Sequence, residues 1–434
     1  MGNAQSPPAN PRFALASRAF TQQELDGLKS LFVSLAAQSQ SNSKCISPSV
    51  FKAYFGIRGP LATRMFKLVS QKRNDDELTY EDLVITKAVY EKGSRNEIDE
   101  FLYELCDVNG DGILGRCDLE AVMHSISDSV FHRGDGQTSL SSWKIAIEAF
   151  LDVAEFSKEV EKNADNSMSL VDFRNWCILV PSVKRFLGSI MMPPDKGRLG
   201  FQVPVLLHPA SLKPDGLILQ KESLKPDGLL LQREYAWHIA GALSQAEAEQ
   251  WKLLYHSALN GLSFTTFMGN ISSWEWPTIL VIKDSEGYVY GGYASQPWER
   301  HSDFYGDVKS FLFKLYPQAS IFRPSGANNN LQWCAVNFSS DNIPNGIGFG
   351  GRASHFGLFL SANFDDGHTF PCTTFNSPCL SRNNRIQPVV IECWGVVVKG
   401  VNNAKAELVK GTVLERFKED RNMLKMIGLA NASE

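Results

Sequence analysis

Asp107-Val-Asn-Gly-Asp-Gly-Ile-Leu-Gly-Arg-Cys-Asp118 is an oxygen-rich loop set between two segments whose apolar residues recur at helical spacing. Asp107, Asn109 and Asp111 put side-chain oxygens at loop positions 1, 3 and 5, Gly112 permits a sharp turn at position 6, and Ile113 offers its carbonyl at position 7. Position 12 holds Asp118, shorter than the glutamate that normally closes such a loop with both oxygens, and Gly115 at position 9 contributes only through water. The ligand count therefore falls toward the six that magnesium prefers. On this reading calcium, or magnesium, binds at Asp107, Asn109, Asp111, Ile113 and Asp118. The competing reading is a loop that keeps its helix packing and has lost the ion. Between Glu97 and Asp128 only Arg116 opposes the carboxylates, a field that attracts a cation.

The segment resembles an EF-hand, a motif that works in pairs whose position-8 residues meet in a short antiparallel contact. Residues Glu161 to Asp172 fit the same frame, with Asn166 at the turn and Met168 in the place of Leu114. Glu161 is too long for position 1, which makes this the weaker of the two ion sites. Gln71 to Asp82 and Ser39 to Val50 fit with Leu78 and Ile46 at position 8, but Arg73 occupies one ligand position and serines supply the other loop, so neither is expected to bind metal. Helical spacing over Gln22–Ala37, Ala62–Ser70 and Tyr80–Glu91 completes an all-α, EF-hand-like half of four helix–loop–helix units over residues 19–188. A Ser-, Gly- and Asp-rich insertion at Asp128–Ser141 separates the last two loops.

A net charge of −4 with scattered basic residues gives no footprint for nucleic acid. The eight cysteines show no Cys-x-x-Cys and no zinc-type spacing with histidine, so they read as reduced. The most apolar stretch, Val389 to Val398, is broken by Glu392 and falls far short of the roughly 20 residues that span a bilayer. A soluble, intracellular protein is expected. Met1-Gly2-Asn3-Ala4-Gln5-Ser6 matches the N-myristoylation pattern, placing a lipid on Gly2 in a disordered, Pro-rich leader over residues 1–18. One such chain binds membranes only marginally and reversibly, so a protein partner or a conformational change must supply the second signal.

Proline and glycine accumulate between Met191 and Pro209, and a tandem duplication follows. Ser211–Glu222 and Ser223–Glu234 differ only at Ile218/Leu230 and Lys221/Arg233. The second copy leads directly into Tyr235-Ala236-Trp237 and reads as part of the next domain, while the first reads as an insertion in a linker over 189–222. Strand-like runs then appear at Thr278–Lys283, Tyr288–Tyr293, Leu331–Asn337, His355–Asn363 and Val389–Val398, with a hairpin turn at Asp284–Gly287. With helices expected at Gln245–Leu259 and Asp307–Leu315, this predicts an α+β domain over 223–398 built on an antiparallel β-sandwich, and a helical tail over 399–434.

Trp251-Lys-Leu-Leu-Tyr255, Gly261-Leu-Ser-Phe-Thr265, Pro277-Thr-Ile-Leu-Val281, Gly291-Gly-Tyr-Ala294, Trp298, Phe304-Tyr-Gly306, Phe311-Leu-Phe313, Ile347-Gly-Phe-Gly-Gly351 and Glu392-Cys-Trp394 resemble the successive motifs of a TLDc domain. Gly291, Gly292, Trp298, Gly350, Gly351, Glu392 and Trp394 are its motif positions, and as glycines at hairpins and tryptophans in a sandwich they read first as fold. With its leader and helical half, the whole chain resembles the lysosomal and fungal vacuolar TLDc proteins. The resemblance implies a non-catalytic module that binds subunits of the V-ATPase and alters its assembly or activity, peripheral on a lysosomal or vacuolar membrane. It also implies, as an alternative, a calcium-binding scaffold for an mTOR-type kinase complex or for oxidative-stress signalling.

Three enzymatic readings compete weakly. Gly346-x-Gly348-x-x-Gly351 satisfies a dinucleotide fingerprint, but strand-like sequence follows where a helix should open. Ser354 and His355 lack a nucleophile elbow. Cys372 and Cys379 would handle peroxide only if exposed and low in pKa. No catalytic residue is assigned.

Overall fold

The computed structural model describes residues 10–39, 44–71, 77–131, 140–156, 167–194, 197–208 and 228–398. Gly2, most of the insertion at 128–141, Glu161 to Asn166, the first repeat copy and the tail at 399–434 lie outside them. The chain divides into two compact units, residues 1–147 with 153–202, and residues 148–152 with 203–434. It is multidomain, with an α-helical part and an α+β part.

The helical unit runs α1 (Pro11–Ser17), α2 (Gln22–Ala37), α3 (Pro48–Phe55), α4 (Gly59–Val69), α5 (Tyr80–Lys87), α6 (Arg95–Cys106), α7 (Arg116–Val130), the start of α8 (Leu140–Leu151), α9 (Leu170–Leu179) and α10 (Pro181–Leu187). Four of these helices open on reciprocal caps: Thr21 with Glu24, Thr79 with Asp82, Ser94 with Glu97, and Ser169 with Asp172. In each, two otherwise orphaned N–H groups find oxygen, which fixes where the loop ends. The loops pair as their position-8 residues require. Ile46 and Leu78 form an antiparallel bridge with N–H···O distances of 2.9 and 3.2 Å, and the Met168 N–H donates to the Leu114 carbonyl at 2.8 Å. All four side chains are buried, so each bridge also seals the core between its two loops.

The second unit holds two sheets. One orders its strands β1 (Val205–Leu207), β2 (Gln250–His256), β12 (Pro388–Val396), β3 (Thr278–Asp284), β4 (Val289–Ala294), β5 (Phe311–Tyr316) and β6 (Ser320–Phe322), antiparallel except for β1 beside β2. The other orders β11 (Arg385–Ile386), β10 (Gly367–His368), β9 (His355–Ser361), β8 (Gly346–Arg352) and β7 (Trp333–Ala335), antiparallel throughout. Helices α11 (Arg233–Ala240), α12 (Ser257–Asn260) and α13 (Phe264–Ile271) flank them. A Cβ built on Gly292 of β4 would lie 2.7 Å from the Phe349 ring of β8, and one on Gly357 of β9 would lie 3.1 Å from Leu312 of β5. These contacts press the sheets together as a sandwich.

Two expected helices are strands. In Gln250–His256, Trp251 and Tyr255 stand four apart like a helical stripe, but they also lie on one face of a strand at period two. Phe311–Leu315 is buried at every position, so both faces of β5 are covered and its sequence carries no alternation to read. Helices α11 and α13 occupy stretches where no helix was expected, and α1 stands in the leader expected to be disordered, where the Asn10 cap and Pro11 at the first position start a helix.

His238 of α11 is fully buried, and neither ring nitrogen has a hydrogen-bond partner in the protein. Its ring lies 5.1 Å from that of Phe150. Burial holds the imidazole neutral, with its pKa pushed down to about 3. The unfolded chain takes up that proton near pH 6.5, so stability is present above this value and falls as the pH drops toward the folded-state pKa. Acidification from pH 7 to 5 is expected to cost about 2 kcal/mol through this residue. Urea midpoints at the two pH values should show a His238→Leu protein losing correspondingly less.

Candidate functional site

In the loop after α6, the turn forms as the spacing predicts, with Gly110 and Gly112 at φ +80° and +87°. The carboxylates are engaged within the protein. Asp107 Oδ1 accepts from the Gly110 N–H at 2.8 Å, and Oδ2 accepts from the Gly112 N–H at 3.1 Å and from Arg64 Nη2 at 3.1 Å. Asp118 Oδ1 reaches across the loop to the Asn109 N–H at 3.3 Å, while Oδ2 accepts from the Gly115 N–H at 3.1 Å and caps α7. Asn109 and Asp111 side chains accept from backbone N–H groups two residues on, and Ile113 is 51 % exposed. This donor set does not fit a divalent ion: its first carboxylate faces a guanidinium and its last spans the loop. No group of three His, Cys, Asp or Glu side chains gathers as metal ligands among the described residues.

Arg64 escaped the sequence reading, although a signal was there. Along α4, Leu61, Ala62, Met65, Phe66, Leu68 and Val69 are buried, and Arg64 is the charged residue inside that apolar stripe. A buried charge demands a partner. A cavity of about 550 Å³ in the same unit is lined by Leu68, Ile85, Val89 and Phe101, with Glu97, Glu100 and Glu104 along α6 and Arg12 of α1.

In the second unit Glu392 of β12 is fully buried. It accepts from the Leu230 N–H at 2.5 Å, the Leu231 N–H at 3.2 Å and Trp394 Nε1 at 2.9 Å. Burial raises its pKa, and those three donors pull it back toward the ionised form. His256 Nδ1 accepts from the Ala258 N–H at 3.1 Å, which puts the ring proton on Nε2, 3.5 Å from Glu392 Oε1. Leu229 and Leu231 are buried, so the end of the second repeat copy is built into this domain.

The other motif positions are close approaches. Gly291 faces the Leu280 carbonyl, Gly292 the Phe349 ring, and Gly351 the His355 carbonyl. Gly350, at φ +67°, meets Cys372 and Phe375. Trp298 is buried, donates to Thr278 Oγ1 at 2.7 Å and stands edge-on to Phe349 at 5.5 Å. The glycines of the dinucleotide-like pattern lie on β8, which turns into β9 with no helix between. Ser354 sits in that turn at φ +72°, its Oγ 3.5 Å from His355 Nδ1. Cys372 is buried, and burial pushes the Cys379 thiol up, away from the thiolate that peroxide chemistry needs. No described helix is long and apolar enough to cross a membrane.

The sequence that builds this sandwich matches a known family model: residues 225–397 fit the TLDc domain. Similarity extends beyond that domain. The MTOR-associated protein MEAK7 of Gallus gallus is 25 % identical over 479 aligned residues, covering 100 % of this chain and 97 % of that protein. Its counterparts in Mus musculus and Danio rerio are 32 % and 29 % identical over 60 % and 63 % of this chain. Those matches span little more than half of the relatives' own length, 55 % and 59 %.

Proposed function

We propose that this protein is a non-catalytic peripheral regulator whose TLDc domain binds the V-ATPase and modulates its assembly or activity at a lysosomal or vacuolar membrane, with a myristoyl chain on Gly2 as a reversible tether. The observation that carries the reading is the TLDc domain itself, whose signature residues are spent on holding the sandwich together. Glu392 is consumed by its three donors and Cys379 is held as a thiol. What remains for a partner is a surface. The MEAK7 relatives, named for association with mTOR, add growth-kinase signalling as the second reading.

The test is sedimentation of the full chain with lysosomal or vacuolar membranes, followed by solubilisation and capture through the chain. Native protein is expected to sediment and to bring V-ATPase subunits with it, and Gly2→Ala to lose most of the membrane-bound fraction. Unchanged sedimentation of Gly2→Ala would remove the lipid from the account. Capture without any V-ATPase subunit would remove the partner.

A further inference from the structure

We infer that the loop at 107–118 is a cation-independent clasp, in which the Arg64 guanidinium supplies the positive charge and locks α4 onto the α6–α7 pair. Arg64 and Asp107 are only 8 % and 4 % exposed, and their ion pair measures 3.1 Å. The same guanidinium donates from Nε and Nη2 to the Glu104 carbonyl, both at 3.2 Å, at the negative end of α6. It lies over Gly110, where a Cβ would come within 2.7 Å of Nη1. A glycine at this loop position thus leaves room for the arginine. Asp118 closes the loop by direct contact with the Asn109 N–H.

An ion entering the loop would sit beside the guanidinium on Asp107 Oδ2, which stays protonated at every physiological pH. Like charges so placed repel, and the buried Arg64–Asp107 pair would lose its match. The N-terminal turn of α4 is fastened to α7 as well, since Ser125 Oγ accepts from the Leu61 N–H at 3.3 Å, and a Cβ on Gly59 would lie 2.7 Å from that oxygen. The loop therefore works as a permanent joint between the first two helix–loop–helix units and the third, where an ion-operated loop would open and close.

The test uses the full chain and does not depend on membranes or on the V-ATPase. Calorimetric titration with calcium chloride, then magnesium chloride, to about 1 mM is expected to give no saturable heat, and melting in calcium and in EGTA to coincide. Arg64→Met and Asp107→Asn should each lower the melting temperature, while the double variant loses less than their sum, a coupling of about tenfold in the unfolding equilibrium. Asp111→Ala, at an exposed ligand position, should melt like the native protein in both buffers. If the Arg64→Met chain does not fold, Arg64→Lys serves in the cycle, because it keeps the charge and loses the fork. Saturable calcium binding that Asp111→Ala abolishes, or strictly additive losses in the cycle, would overturn the inference.

Discussion

Glu392→Ala is expected to destabilise the TLDc domain by about 3–5 kcal/mol, the cost of removing one partner from a buried charged network. Three donors converge on this one side chain, two from the backbone at Leu230 and Leu231 and one from Trp394. Alanine leaves all three without an acceptor, the Leu231 and Trp394 donors fully buried and the Leu230 N–H partly so, and each unsatisfied buried group carries its own desolvation cost of roughly 1–3 kcal/mol. The loss is also topological, since Glu392 lies on β12 and its backbone partners precede α11, more than 160 residues earlier in the chain. Chemical unfolding followed by tryptophan fluorescence checks this directly, with the domain's buried tryptophans as reporters. Glu392→Gln, which retains one acceptor oxygen in the same shape, should fall between the native and alanine proteins. A loss for Glu392→Ala below about 1 kcal/mol would mean that water or rearranged backbone satisfies the donors.

Gly292→Val should cost about 2–3 kcal/mol through overpacking where the two sheets meet. Its Cβ would fall 2.7–3.0 Å from three carbons of the Phe349 ring. Phe349 is itself fixed, fully buried and edge-on to Trp298, so it has little room to swing aside. Shrinking the obstacle is the discriminating control: Gly292→Ala combined with Phe349→Leu should recover part of what Gly292→Ala loses alone. A second control is Gly326, at φ +83° with nothing within 4 Å of a built Cβ. Alanine there should cost only about 1–2 kcal/mol, the penalty of a left-handed backbone. Thermal melts of this set separate steric collision from backbone strain.

The pairing of loops was legible because it depends on a fixed count from each turn to an apolar position. Ile46, Leu78, Leu114 and Met168 all lie where that count puts them, and the bridges follow. The strands of β3, β4 and β12 were legible for a similar reason, as β-branched and aromatic runs bounded by turn residues. Strands β2 and β5 were not, because burial on both faces of β5 and an accidental four-residue spacing in β2 erase the period that separates strand from helix. The ion loop was readable in its backbone and unreadable in its chemistry. What decides the state of Asp107 is Arg64, 43 residues away, and no local spacing rule joins the two. The same holds for Glu392, whose motif could be recognised while its bonds to Leu230 and Leu231 could not.

The place of β12 bears on how the chain emerges from the ribosome. It is the last strand of its sheet in sequence, yet it lies between β2 and β3, so two neighbours wait for it with unsatisfied backbone edges during synthesis. A nascent chain stalled before residue 388 would expose both of those edges. Premature termination upstream of β12 should therefore yield a product that aggregates or is degraded, since the two flanks of the sheet have nothing else to join them.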